Sequence, residues 1–159
     1  MSKPIFEEQQ QFRQWWIWII LAVVAGSIIY SYTQADNPTI SDSLFSIVIF
    51  GLVLLLLFTA KLNTRIDEQG IHVKFFPFHF SYQRYTWDDI NHAKVTNYSP
   101  LADYGGYGVR ISFRGKGKAF NVSGNQGIWL ETFSGKKRMI GTKKADEAEP
   151  IIKQYLKNS

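Results

Sequence analysis

Few side chains in this sequence could do covalent chemistry, and they are scattered. The three histidines, His72, His79 and His92, lack the spacing of a metal site, and there is no cysteine. Disulfides, thiolate catalysis and cysteine-ligated metal are thereby excluded. Asp88 and Asp89 are adjacent, so on a strand they point to opposite faces and cannot cooperate as a carboxylate pair. Ser123-Gly124-Asn125 and Ser134-Gly135-Lys136 are turn sequences. Neither supplies a serine, a base and an orienting acid at a recognisable spacing. Gly105-Gly106-Tyr107-Gly108 has the glycines of a phosphate cradle, but such loops lead from a strand into a helix. Here the β-rich Val109-Arg110-Ile111-Ser112-Phe113 follows. No catalytic residue, metal or cofactor is expected.

Binding chemistry is better represented. Basic residues gather in Arg114-Gly115-Lys116-Gly117-Lys118 and in Ser134-Gly135-Lys136-Lys137-Arg138. Arg114, Lys116, Lys118, Lys136, Lys137 and Arg138 are therefore candidate contacts for an anionic headgroup or a small anion. Aromatic residues gather in Phe75-Phe76-Pro77-Phe78-His79-Phe80 and in the stretch Tyr98 to Gly108, which holds a proline, three tyrosines and three glycines. Phe76, Phe78, Tyr98, Tyr104 and Tyr107 are candidate partner contacts, because loops on a rigid scaffold often carry binding. Each group also has an ordinary reading. Alternate phenylalanines can fill a core, the tyrosine loop can be structural, and Asp103 can pair with Arg110 across it. Nucleic acid is not an expected partner, since the basic hairpins lack interleaved exposed aromatics.

The elements that position these residues begin with two apolar runs, residues 15–32 and 44–60, joined by the connector 33–43. A helix needs about 20 mainly apolar residues to cross a bilayer core of roughly 30 Å. The runs predict a transmembrane hairpin, because a hairpin buried in a soluble core would keep a polar face. Glu7 and Glu8 beside Lys3 and Arg13 do not form the positive region of a cleaved signal. The connector carries Asp36 and Asp42 and no basic residue, whereas Lys3 and Arg13 precede the first run and Lys61 and Arg65 follow the second. That asymmetry places residues 1–14 and 61–159 in the cytoplasm and the connector outside. Trp15, Trp16 and Trp18 at one end of the first run, with Tyr30 and Tyr32 at the other, suit the interfacial belts.

Residues 61–159 read as one domain of short strands and a terminal helix. Strands are predicted at 62–67, 71–76, 78–84, 90–97, 107–113, 118–123, 127–133 and 136–142, with glycines in most gaps. Asp146 to Lys157 predicts a helix, with Asp146, Glu147 and Glu149 near its start and Lys153 and Lys157 toward its end. Its apolar stripe is Ile151, Ile152, Tyr155 and Leu156. Trp87 and Trp129 are expected to pack in the barrel or under this helix. The domain holds 16 Lys and Arg against 9 Asp and Glu, a net +7, while the residues before it sum to −2. A basic domain suits an anionic leaflet, where each basic residue near the surface gains about 1 kcal/mol.

A curled antiparallel sheet plugged by a C-terminal helix is a pleckstrin-homology-like (PH-like) arrangement. The stretches Arg65-Ile66-Asp67-Glu68-Gln69-Gly70-Ile71, Trp87-Asp88-Asp89-Ile90, Tyr104-Gly105-Gly106-Tyr107-Gly108 and Ile140-Gly141-Thr142, after two apolar runs, resemble the bacterial PH-domain-like membrane proteins. That resemblance implies an α+β membrane protein with a PH-like antiparallel barrel or sandwich and a bacterial inner-membrane location. It brings no active site. Eukaryotic PH domains often hold phosphoinositides through basic residues around the first hairpin, where this chain has the acidic Asp67-Glu68-Gln69-Gly70.

If the strands run as a simple meander from Leu62, alternate turns fall at alternate ends. The turn 75–80 and the loop 98–107 would then lie at the membrane end and both basic hairpins at the far end. The expected role is a non-enzymatic, membrane-anchored scaffold or accessory subunit contacting another membrane protein or a second copy of itself. The alternative is a module that binds anionic lipid headgroups or small anions. An enzyme would need a convergent set of titratable groups that the sequence does not display.

Overall fold

A computed structural model describes residues 5–34, 40–112 and 114–157. The chain is α+β and divides into two compact units, Phe12–Thr59 and the segments on either side of it, Met1–Gln11 with Ala60–Ser159.

The first unit is helical. Helix α1 spans Trp15–Gln34 and helix α2 spans Ile40–Thr59, each of 20 residues. At 1.5 Å per residue each is about 30 Å long. No residue of α1 is buried, and large side chains such as Ile19, Val23, Ile29, Leu52 and Leu55 stand exposed. Among the described residues α1 is the one helix long and apolar enough to cross a membrane by length and composition. The apolar part of α2, Leu44–Thr59, is shorter. Trp18 near the start of α1 packs against Phe58 near the end of α2, with ring centroids 5.5 Å apart, so the two helices lie antiparallel. Hydroxyls inside the helices donate to their own backbone, Ser27 to Val23 O at 2.8 Å and Thr59 to Leu55 O at 2.7 Å. Backbone bonding of this kind satisfies a hydroxyl without solvent.

The second unit holds two sheets. The first has strands β1 (Phe6–Gln11), β2 (Lys61–Asp67), β3 (Gly70–Phe76) and β4 (Gln83–Thr86), antiparallel in that order. Its inward rows are Phe6, Ile66, Ile71 and Tyr85, then Glu8, Thr64 and Val73, then Gln10, Leu62 and Phe75. A single turn of 3-10 helix, Trp87–Asp89, leads into the second sheet. That sheet contains β5 (Ile90–Asn97), β6 (Gly108–Ile111), β7 (Lys118–Asn121), β8 (Gln126–Thr132) and β9 (Lys137–Gly141), ordered β5-β8-β9-β7-β6. A short helix, α3 (Pro100–Tyr104), lies in the β5–β6 connection, and helix α4 (Ala145–Lys157) follows β9. Phe120, Ile128, Leu130 and Ile140 of the second sheet are fully buried, as are Ala148 and Ile152 of α4. Burial of each large side chain stabilises the fold by about 1.5 to 3 kcal/mol. Trp87 is buried, stacks on Tyr155 of α4 at 5.2 Å and donates its indole N–H to Asp67 O at 3.0 Å.

The sheets cross. Arg138, at the start of β9, donates from Nε to the Tyr85 hydroxyl of β4 at 3.0 Å. At the other end of β9, Gln10 of β1 donates from Nε2 to Gly141 O at 2.8 Å. Beyond it, Glu8 accepts from the Thr142 hydroxyl at 2.5 Å and from Lys143 N at 2.9 Å. Strand β9 therefore runs across the first sheet from its β4 edge to its β1 edge.

Three sequence expectations change here. Phe6–Gln11, read as part of a segment outside the domain, is the edge strand β1, held by Phe6, Glu8 and Gln10 turned inward. The meander fails because β7 pairs with β9 in parallel and β8 pairs with β5. Finally, Asp103 does not pair with Arg110. It holds Lys116 Nζ at 2.6 Å, while Arg110 Nε donates to Tyr107 O at 2.9 Å. Phe113 and the connector residues 35–39 lie outside the described residues.

Candidate functional site

The aromatic turn between β3 and β4 lies where the chain leaves the domain and re-enters it. Gln11, the last residue of β1, pairs with Lys61, the first of β2, and Lys61 pairs with Phe76, the last of β3. The Phe76-Pro77 peptide is cis, and the His79 amide donates to Phe75 O at 2.7 Å, which closes the turn. Phe78 packs on Phe75 at 5.8 Å and Phe80 sits edge-on to Phe76 at 5.7 Å. Phe78 is nevertheless 56% exposed and Phe80 77%. Of the predicted partner contacts, Phe76 and Phe78 meet here. Phe80 is more exposed than either, and its place in the same aromatic turn was visible in the sequence.

The tyrosine loop is a structural lid. Ser99 caps α3, its Oγ accepting from Ala102 N at 3.3 Å while its own N–H donates to Asp103 Oδ2 at 2.9 Å. Gly105 ends the helix with φ 71°, in the left-handed region that glycine enters at least cost. The loop folds over the outer face of the second sheet, where Tyr98 and Tyr104 form a buried cluster with Ala119 and Met139. Tyr98 lies over Gly127 and Gly141, so that a Cβ on either glycine would come within 3.1 or 3.2 Å of its ring or hydroxyl. Burial pushes the Tyr98 phenol up to about 12. Tyr98 and Tyr104 are thus buried core residues, because Gly127, Gly141 and Ala119 in the sheet beneath leave room for the rings beside Met139. Tyr107 is half-buried.

The six basic candidates separate in the same way. Lys116 is held by Asp103, and its hydrogen bond is the main cause that pulls the Asp103 carboxyl below its usual value. Lys137 lies 3.8 Å from Glu131. Arg114 and Lys136 stand exposed on turns. Lys118 and Arg138 differ from all four, being register partners at the start of β7 and β9 on the inward face of the sheet. Lys118 Nζ stands 5.2 Å from the centre of the Phe120 ring, and the His79 ring meets Phe120 edge-on at 5.5 Å. The aromatic turn and one end of the basic sheet are therefore neighbours. This overturns the expectation that they occupy opposite ends, because the crossing of the sheets brings β7 under the β3–β4 turn.

One buried pair has the residue types of a catalytic dyad. His72 Nε2 lies 2.9 Å from Asp67 Oδ1, both residues being buried. The same oxygen accepts from Gln69 N at 2.9 Å and Gly70 N at 3.2 Å, so the carboxylate ties the β2–β3 turn to the strand. Asp88 and Asp89 are exposed, and Asp89 accepts from the Thr86 hydroxyl at 2.8 Å. Among the described residues no three His, Cys, Asp or Glu side chains are grouped to hold a metal ion.

Comparison with family models, curated proteins and solved structures gave no match. Function is read from the site alone.

Proposed function

We propose that this chain is a non-enzymatic binding module, PH-like in architecture and anchored to a bacterial inner membrane by α1 and α2 as a transmembrane hairpin. Both termini and the domain face the cytoplasm. It works as a scaffold or accessory subunit that contacts another membrane protein or a second copy of itself.

The observation that carries this reading is the insertion of two apolar helices between a pair of hydrogen-bonded strands. Gln11 and Lys61 are cross-strand partners, so the chain leaves and returns at one point of the sheet. Exposed Phe78 and Phe80 stand beside that point. Aromatic side chains suit the interfacial layer and the edges of protein interfaces. The two crossed sheets and the C-terminal helix support the PH-like element.

Two experiments test it. The chain has no cysteine, so single cysteines report topology cleanly. In intact spheroplasts a membrane-impermeant maleimide is expected to label Asn37→Cys and to spare Ser134→Cys until the cells are broken. The reverse pattern sinks the stated orientation, and labelling of both in intact cells sinks the anchoring. A photo-crosslinking residue in place of Phe80 is expected to trap one defined membrane protein or a second copy. Adducts with lipid alone would remove the scaffold role.

A further inference from the structure

We propose that Lys118 and Arg138 form an oxyanion site for a phosphate group, either on an anionic lipid headgroup or free in solution, at the mouth between the two sheets.

The placement of the two side chains is specific. Lys118 and Arg138 are in register on parallel strands, so they emerge side by side on one face. Two residues further along the same face come Phe120 and Ile140, both fully buried. The pair thus marks the rim of the core, where water is partly excluded and a charge acts through a lower dielectric than on open surface. Lys118 Nζ lies 5.2 Å from the centre of the Phe120 ring, His79 meets that ring edge-on, and Tyr85 accepts from Arg138.

Arg138 is also oriented in advance. The Tyr85 hydroxyl donates to Gln83 Oε1 at 3.2 Å and accepts from Arg138 Nε at 3.0 Å. Arg138 Nη1 donates to Lys137 O at 2.9 Å. A guanidinium has five N–H donors in a planar fork, so these contacts fix its plane and leave donors over. A held guanidinium beside a mobile ammonium is a common pairing for phosphate oxygens.

Among the described residues, Lys118 and Arg138 stand side by side with no carboxylate paired to either. Burial and then the charge of Arg138 push the Lys118 ammonium below its ordinary value. Burial and then Lys118 do the same to His79. A bound oxyanion offsets the charge repulsion that adds to burial in both shifts. The site is built from the domain's own residues, so it stands even if α1 and α2 do not cross a membrane.

The test uses the full chain in dodecyl maltoside micelles at constant ionic strength. Calorimetric titrations are run with sodium phosphate and with water-soluble dihexanoyl phosphatidylglycerol, with dihexanoyl phosphatidylcholine and chloride as controls. One saturable site per chain is expected for at least one phosphate source. Affinity is expected to fall tenfold or more in Lys118→Gln and in Arg138→Gln and to be unchanged in Lys136→Gln on the exposed turn. Lys118→Gln leaves the Arg138–Tyr85 contact in place, so it tests the site even where Arg138→Gln fails to fold. Binding of phosphatidylglycerol alone supports the site with lipid as its source, and binding of inorganic phosphate supports it with the free ion. No saturable binding by either source overturns the proposal, as does binding that survives Lys118→Gln. Equal loss in Lys136→Gln also overturns it, because the effect would then be diffuse charge.

Discussion

His79 gives the residue-scale chemistry a readable pH dependence. Its ring is held below the ordinary value of 6.5 by burial first and by Lys118 second, with the Phe75 backbone pulling the other way. A histidine whose folded value is depressed is harder to protonate in the native state than in the unfolded chain. Its contribution to stability is therefore full above pH 6.5 and is lost as the pH falls through that value toward the folded one. Urea unfolding of the full chain in mild detergent is expected to show lower stability at pH 5 than at pH 8. His79→Gln should flatten part of that slope. A slope untouched in His79→Gln would mean that the ring titrates as it does in water and that Lys118 does not act on it. Bound phosphate should lessen the same slope, because an anion between Lys118 and Arg138 offsets the repulsion on His79.

Among the elements, β1 shows what the sequence conceals and what the fold demands. Its residues, Phe-Glu-Glu-Gln-Gln-Gln, read as a polar lead-in to the first apolar run. The inward positions are Phe6, Glu8 and Gln10, and only the first is apolar, so hydrophobic alternation could not reveal the strand. Its ladder to β2 is joined by hydrogen bonds from its inward side chains to residues more than 130 positions away, from Gly141 to Lys143. Seven of the eight strands from Lys61 onward were legible within a few residues, since their apolar alternation and glycine-marked turns are local signals; the strand expected at 78–84 is instead the aromatic turn and its exit, and β4 begins only at Gln83. The adjacency of the strands was not legible, because the parallel β7–β9 pairing depends on packing across the sheet rather than on any neighbour in sequence. The site was legible to the same degree. Clustering identified Lys118 and Arg138, but nothing local distinguished them from Lys116, whose partner Asp103 sits 13 residues earlier. Glu8→Ala is expected to destabilise the domain by about 2 to 3 kcal/mol, the cost of leaving the Thr142 hydroxyl and the Lys143 N–H without their buried acceptor. Glu8→Gln keeps one acceptor and should cost about 1 kcal/mol. Denaturant midpoints measure both, and a change under 0.5 kcal/mol in Glu8→Ala, roughly the size seen for ordinary surface sites, would show that β1 is not part of the cooperative unit.

At the scale of the whole molecule, the helical hairpin is an insertion into a β-hairpin. Gln11 and Lys61 are paired across β1 and β2 as if a tight turn could join them, yet the chain between them builds α1 and α2. Every core residue named for the two sheets and α4 lies outside that insertion, and α1 buries none of its own residues. The domain should therefore not need the helices in order to fold. Replacing residues 12–59 by a single Gly leaves Gly-Ala60 as a two-residue turn between Gln11 and Lys61, with glycine at the first central position as II′ hairpin turns require; it removes the large exposed apolar side chains of both helices, keeps the buried Ala60 and preserves the β1–β2 register. The shortened chain is expected to be soluble without detergent, to unfold in one cooperative step and to keep the phosphate response of Lys118 and Arg138. It should no longer sediment with membranes, whereas the full chain should resist alkaline carbonate extraction. A shortened chain that still sediments would move the membrane attachment to the domain surface, with Phe78 and Phe80 as the first residues to change. One that aggregates would show that the domain does not fold or stay soluble without the hairpin.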